Sequence, residues 1–257
     1  MKWIGILTLI LVSAAWAYAP VPVQKSPAEI ELAAALDKAE TNGAKAQIAT
    51  AFLNSNPTDI PAARMAQDVL FRTMEDPAEF FKSRAEKSES VVDHYLYARA
   101  SGDSTVMAQE AAWIMAKDPK NAWGHMLAGL AEWERAMPDN AVVEKYLKAA
   151  VEADPSRPEG YINLGYLYED MENWPAARET FEAGAIADPN NATVRDARLT
   201  VYAVQRDGDA YFKLIDGVLP AEPLTGELVR ANNGGGTVDA AKAFRGQTVL
   251  VEYWAYT

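Results

Sequence analysis

Residues that could carry out chemistry are scarce in this chain. It has no cysteine, which removes disulfides, thiolate metal ligands and cysteine nucleophiles. Its two histidines, His94 and His125, lie inside helical patterns, and neither has a pair of acidic residues at metal-ligand spacing. We therefore interpret both as ordinary helix residues. The sequence predicts no catalytic group, no metal site and no cofactor within these 257 residues.

The balance of charge narrows the choice of partners. The chain carries 36 acidic and 24 basic residues, a formal net charge of −12. Because a field of this sign repels a phosphate backbone, nucleic acid is not an expected partner. Solubility alone is a sufficient reason for the acidic surface. A hydrophobic fraction of 49% is that of an ordinary globular chain, so we expect a folded core.

Residues 1–19 have the pattern of an export signal. Their apolar centre, residues 3–12, has the length of a signal-peptide core and is short for a membrane span. Ala15 and Ala17 provide the small-x-small pattern of a cleavage site, so we expect cleavage after Ala17 and a periplasmic protein. The alternative is an uncleaved anchor, which the prolines at 20 and 22 disfavour because they would break the helix. No later segment is apolar enough to suggest membrane contact.

Residues 20–219 alternate between alanine-rich helical stretches and short breaks. The breaks contain turn-forming and helix-starting residues, such as Asn42-Gly43 and Pro138-Asp139. Twelve helices are predicted, over 28–41, 44–54, 60–74, 77–88, 90–100, 104–117, 122–136, 140–153, 159–171, 175–187, 192–205 and 209–218. The region is therefore predicted to be all-α with short connections.

A repeat is visible in this helical region. Pro155 and Pro189 stand 34 residues apart, the period of tetratricopeptide (TPR) helix pairs. The unit 158–191 matches the TPR pattern at Tyr161, Leu164, Gly165, Tyr168, Ala177, Phe181 and Pro189. The unit 124–157 matches it more weakly. The region thus resembles TPR proteins, which implies a superhelical array of stacked helix pairs. Small residues let paired helices approach closely, so we expect Gly165 and Ala177 to face each other.

The resemblance to TPR proteins implies a protein or peptide partner on a concave face of the array. TPR domains that clamp a C-terminal carboxylate carry lysine and asparagine at positions five and nine of the first helix. Ile162 and Tyr166 occupy these positions in one repeat, and Ala128 and Glu132 in the other, so no carboxylate clamp is expected. Aromatic residues either line a binding groove or, more often, fill helix interfaces; they are Trp113, Trp123, Trp133, Tyr146, Tyr161, Tyr166 and Trp174.

The composition changes in residues 220–257. Residues 226–238 predict a β-hairpin around a glycine-rich loop, and residues 248–254 predict a buried strand. The order of motifs resembles the beginning of the exported TlpA-like and ResA-like thioredoxins. The matching residues are Gly236, Val238, Phe244, Arg245, Gly246, Val249, Leu250, Val251, Tyr253, Trp254 and Ala255. Tyr253 and Ala240 depart from the phenylalanine and leucine that are usual in that family. An edge strand of an unrelated small cap is the alternative.

Two functions remain open from the sequence. The thioredoxin-like resemblance implies an exported thiol–disulfide oxidoreductase whose TPR region binds partners. The Cys-x-x-Cys motif of that family would begin directly after Thr257, so the catalytic cysteines are absent from this chain. The alternative is a non-enzymatic TPR adaptor or scaffold in the periplasm. Coding sequence beyond Thr257 would distinguish the two.

Overall fold

The computed structural model describes residues 19–55 and 57–216, and the backbone of 227–229 and 237–239. These residues fall into two units, one ending at Asp207 and the other beginning at Gly208. Residues 1–18 of the predicted export signal and the predicted strand at 248–254 lie outside the described residues.

The described part of the first unit contains eleven α-helices joined by short turns. They are α1 (Pro27–Asp37), α2 (Asn42–Asn54), α3 (Ile60–Phe71), α4 (Pro77–Ala85), α5 (Val91–Ser101), α6 (Ser104–Lys117), α7 (Ala122–Trp133), α8 (Asn140–Ala153), α9 (Pro158–Asp170), α10 (Trp174–Ala187) and α11 (Ala192–Val204). Each helix lies where the sequence predicts one, with its ends shifted by at most four residues. The predicted helix-pair array is confirmed.

Side-chain caps decide where these helices begin. In nine of the eleven described helices of this unit, an oxygen of the preceding side chain accepts a hydrogen bond from a first-turn backbone N–H. Ser26 and Glu29 at α1 form a complete capping box. The two exceptions are Ser90 before α5 and Arg157 before α9. Most of the breaks seen in the sequence therefore contain the residue that caps the next helix.

One turn recurs three times along the array. Asp118, Asp154 and Asp188 each follow a helix, have φ between −143° and −138°, and precede a proline. The carboxylate of each accepts a hydrogen bond from the backbone N–H two residues later, at 3.1 Å. Because the same turn joins α6 to α7, α8 to α9 and α10 to α11, it repeats the same chain reversal. This Asp-Pro turn is the structural cause of the proline spacing in the sequence.

Neighbouring helices build one continuous apolar core. Apart from α3 and α4, helices adjacent in the chain of this unit pack closely together, and the odd-numbered helices also contact each other in the pairs α1–α3, α3–α5, α5–α7 and α9–α11. Each pair thus buries its apolar surface against the next pair, as expected when a single pair cannot cover itself.

A close helix approach in the pair α9–α10 depends on Gly165. The sequence predicts that Gly165 faces Ala177, but the nearest atoms belong to the ring of Phe181. A methyl group added at Gly165 would lie 2.5 Å from Cζ and 2.8 Å from Cδ1 of that ring. Both distances are far below van der Waals contact, so Phe181 occupies the space that any side chain at Gly165 would need.

The second unit contains one described helix and a hairpin. These elements are α12 (Gly208–Asp216), β1 (Glu227–Val229) and β2 (Thr237–Asp239). The strands pair antiparallel with Leu228 opposite Val238, so a hairpin lies where the sequence predicts one. The division of the chain falls before α12, whereas the sequence placed it after residue 219. A two-stranded hairpin occurs in many folds, and it does not by itself support the thioredoxin-like interpretation.

Replacing Gly165 by alanine tests the packing of the α9–α10 pair. We expect Gly165→Ala to lower the free energy of unfolding by about 1–3 kcal/mol, because the new methyl group must displace the Phe181 ring. Denaturant unfolding measures this change. Gly43→Ala is the matched control, since an added methyl group in α2 meets nothing closer than 4.0 Å. Equal stability of the two variants would contradict the assigned packing.

Candidate protein-binding site

The TPR signature residues form the core of the α9–α10 pair. Tyr161, Leu164, Ala177 and Phe181 are fully buried, and Tyr168 is 7% exposed. Among the signature residues, Pro189 is exposed and lies in the Asp-Pro turn after α10. These side chains hold the helices together, so a partner must contact other residues.

The two buried phenols of this core keep their protons. The hydroxyl of Tyr161 donates to the carbonyl of Pro155 at 3.0 Å, and that of Tyr168 donates to Glu144 Oε1 at 2.8 Å. Burial raises the pKa of Tyr161 to about 12. Burial, together with the hydrogen bond to Glu144, raises the pKa of Tyr168 to about 12 as well.

The residues of the thioredoxin-like motif define no site within the described part of the chain. Val238 lies in β2, where only the backbone is described, and the other ten matching residues lie outside the described part of the chain. In the described residues no group of three metal-binding side chains comes together.

The two histidines have structural contacts. His94 Nδ1 lies 2.5 Å from Glu110 Oε2, Nε2 lies 3.1 Å from the Ser88 carbonyl oxygen, and the ring stacks on Trp113 with a centroid distance of 3.6 Å. His125 Nε2 lies 3.0 Å from the carbonyl oxygen of Pro119. His94 therefore ties α5 to α6, a role that the sequence does not indicate because Glu110 and Trp113 belong to the next helix.

Most of the aromatic residues fill helix interfaces, as the sequence favours. Trp113, Trp133 and Trp174 are partly buried against the core, and Trp123 and Tyr161 are buried within it. Tyr166 differs, because it is 36% exposed while its ring edge packs on Phe181 with a centroid distance of 5.5 Å. Tyr166 is therefore an aromatic side chain that packs on the core through Phe181 and remains partly accessible to solvent.

Two carboxylates act electrostatically on Tyr166. Burial raises the pKa of its hydroxyl, and the charges of Glu169 and Asp196 raise it further. Burial also raises the pKa of Glu169, with a contribution from the charge of Asp170, and Oε1 of Glu169 is buried without a hydrogen-bond partner. Asp196 is exposed on α11 and pairs with Arg195 at 2.8 Å. We call Tyr166, Glu169 and Asp196 the acidic aromatic face.

The other two clamp positions line a groove between α6, α7 and α8. The groove has a volume of about 450 Å³ and includes Ala128, Glu132, Arg135 and Tyr146 in its lining. Glu132 accepts a hydrogen bond from Arg135 at 2.9 Å and another from the backbone N–H of Asp139 at 3.1 Å. The hydrogen bond from Arg135, followed by that from the backbone, lowers the pKa of Glu132. The groove therefore presents a carboxylate where a carboxylate clamp has a basic or amide group.

Polar contacts also join distant parts of the array. Arg64 on α3 pairs with Glu159 on α9 at 2.6 Å, and its guanidinium lies 4.7 Å from the ring centroid of Trp123. Arg157 before α9 contacts both carboxylate oxygens of Glu29 on α1 at 3.3 Å. Arrays of this class usually make contacts between neighbouring repeats, so these two pairs are an additional feature. The sequence does not reveal them, because the partners stand 95 and 128 residues apart.

Comparison with known proteins finds similarity at the level of the fold. No known family and no curated protein matches the sequence. Among solved structures, Cut9 in the APC/C hetero-tetramer Cut9–Hcn1 aligns with a TM-score of 0.51 and 12% identity, over 76% of this chain and 44% of that chain. MamA aligns with a TM-score of 0.46 and 14% identity, over 62% of this chain and 91% of that chain. TTC0263, a thermophilic TPR protein in Thermus thermophilus, aligns with a TM-score of 0.45 and 14% identity, over 70% of this chain and 90% of that chain.

The likeness to Cut9 concerns the fold alone, and it agrees with the helix pairs described above. The described helices of the first unit form a TPR-type array. None of the described helices is long and apolar enough to cross a bilayer.

The buried phenols make stability depend on pH at the alkaline end. An unfolded tyrosine loses its proton near pH 10, whereas Tyr161 and Tyr168 keep theirs to about pH 12 in the folded state. Between these values the unfolded state binds fewer protons, so stability should fall as pH rises. Unfolding measured at several values from about pH 9 to about pH 11.5 tests this. Tyr161→Phe and Tyr168→Phe should each reduce the slope, and unchanged slopes would contradict the assignment.

Proposed function

We propose that this chain is a non-enzymatic TPR adaptor that binds a protein partner. The observation that carries the proposal is the TPR-type array itself, since stacked helix pairs of this class bind proteins and peptides. No finding supports the thioredoxin-like oxidoreductase interpretation. That interpretation depends on residues 220–257 and on cysteines that this sequence does not contain.

The acidic aromatic face is our candidate for the surface that contacts the partner. Tyr166 stands at position nine of one repeat, and Asp196, 34 residues after Ile162, stands at position five of the next. A lysine or arginine of the partner can stack on the exposed Tyr166 ring and neutralise the carboxylates beside it. The net charge of −12 favours the same choice, because it attracts a basic segment from a distance. We therefore propose a basic, extended or helical segment as the bound element.

A partner recognised through a free C-terminal carboxylate does not fit this surface. Such a group would meet Glu132, whose carboxylate already engages Arg135, in one repeat, and Tyr166 with its acidic neighbours in the next. The pair formed by Arg195 and Asp196 does not change this, because exposed ion pairs hold their partners weakly.

Peptide binding tests the acidic aromatic face. Two fluorescent peptides of equal length, one rich in lysine and arginine and one in glutamate, are compared by anisotropy. We expect only the basic peptide to bind. Tyr166→Ala and Glu169→Gln should each weaken its binding about tenfold, or about 1.4 kcal/mol. Amidation of the peptide's C-terminus should leave its affinity unchanged. Glu179→Gln, an equal charge change at an exposed position of α10, is the matched control. Equal losses at Glu169 and Glu179, or a large loss on amidation, would contradict the proposal.

We also propose that the protein is exported to the periplasm and cleaved after Ala17. The support is the apolar run followed by Ala15 and Ala17 in the sequence. Intact-mass measurement of the exported protein should give a chain that begins at Tyr18. A mature chain that still carries Met1 would contradict this proposal.

A further inference from the structure

An extended N-terminal segment is hydrogen-bonded to the far end of the array. In residues 19–25, which we call the strap, the backbone N–H of Val21 donates to the carbonyl of Pro155 at 3.2 Å. The N–H of Val23 donates to the carbonyl of Ala187 at 2.7 Å. The strap therefore connects the chain before α1 with the turn after α8 and the last residue of α10.

The sequence of the strap suits pairing along one edge only. In an extended chain the N–H groups of alternate residues point to the same side, so Val21 and Val23 donate together. Pro20 and Pro22 stand at the intervening positions, where an N–H would point away from the array and where proline is tolerated. The Pro-Val-Pro-Val run thus keeps the backbone N–H groups of Val21 and Val23, which the array binds. It lacks an N–H at Pro20 and Pro22, where the array would not use one.

The array departs from its own repeat at the place where the strap binds. Asn121 and Asn191 follow their Asp-Pro turns and cap α7 and α11 with their side chains. Arg157 stands at the corresponding position before α9, makes no cap, and contacts both carboxylate oxygens of Glu29 instead. Ala187 offers a carbonyl from the last turn of a helix, where carbonyl groups lack partners inside the helix. This edge therefore offers two carbonyl acceptors to an extended chain, those of Pro155 and Ala187, and the Pro155 carbonyl also accepts the hydroxyl of Tyr161 at 3.0 Å.

The strap is held by few contacts. Val21 is 48% exposed, and only Pro20 and Val23 among residues 19–25 are half-buried. Two backbone hydrogen bonds and two half-buried side chains must compensate the ordering of seven residues, so release of the strap costs little.

We propose that the edge formed by residues 154–157 and the carbonyl end of α10 is a docking surface for an extended protein segment. The strap occupies it within the same chain, and a partner segment with the same chemistry displaces the strap. That chemistry is free N–H groups at alternate residues, with proline or apolar residues between them. This edge does not include Tyr166, Glu169 or Asp196, so the inference goes beyond the proposed function and can fail or hold independently of it.

A peptide of residues 18–30, labelled and added to the full chain, tests the proposal. The double variant Val21→Pro, Val23→Pro removes both donors of the strap and should bind the peptide about tenfold more tightly than the parent chain, because the internal competitor is weakened. Val21→Ala, Val23→Ala keeps both N–H groups and should behave like the parent. A peptide N-methylated at Val21 and Val23 should not bind. Tyr166→Ala should leave this binding unchanged, which separates it from the basic-peptide assay.

Three outcomes would overturn the proposal. Equal binding of the peptide to parent and proline variant would show that the strap does not occupy its site, and undiminished binding of the N-methylated peptide would exclude the backbone donors. A parent dimer that the proline variant loses, seen by light scattering, would show that the occupant is a second copy of this chain. If the proline variant fails to fold, hydrogen exchange on the parent decides: the amides of Val21 and Val23 should exchange more slowly than that of Gln24, and excess unlabelled peptide should accelerate them.

Discussion

The close approach of neighbouring helices is the constraint on which the rest of the structure depends. It requires small side chains where helices meet, and the fully buried Ala63, Ala66 and Ala177 supply them together with Gly165. The space left open by Gly165 is filled by the Phe181 ring, which in turn supports Tyr166 from below. The position of an exposed aromatic residue therefore follows from the absence of a side chain one residue earlier. Packing between α9 and α10 therefore determines which side chain of this pair is exposed on its surface.

Local features of the fold could be predicted from the sequence because their causes are local. The helix starts depend on capping residues, and the 34-residue spacing depends on a turn in which an aspartate carboxylate accepts the N–H two residues later. The aspartate before each of these prolines is a further sequence signal for the turn, in addition to the spacing of the prolines. The partner of Gly165 could not be assigned so well, because Ala177 and Phe181 lie one helical turn apart on the same face of α10.

The candidate sites were less accessible to sequence reasoning for a physical reason. The pairs Arg64–Glu159 and Arg157–Glu29 join residues that no pattern of short period connects, and each residue alone resembles an ordinary surface charge. The charge of Asp196 beside Tyr166 likewise depends on α9 and α11 being neighbours. The absence of a carboxylate clamp was visible, since it concerns residue types at repeat positions. The acidic surroundings that replace the clamp required the packed helices.

The capping box at α1 explains how the strap can move without disturbing the array. Glu29 accepts the N–H of Ser26 at 2.8 Å, while Ser26 Oγ accepts the N–H of Glu29 at 3.0 Å, so the helix start is fixed by residues that follow the strap. The same Glu29 contacts Arg157, which holds α1 to the turn before α9. Detachment of residues 19–25 therefore breaks two hydrogen bonds and leaves both the cap and the ion pair in place. Rotation about the φ and ψ bonds of Lys25, the residue before the cap, would therefore suffice to release the strap while the start of α1 stays fixed.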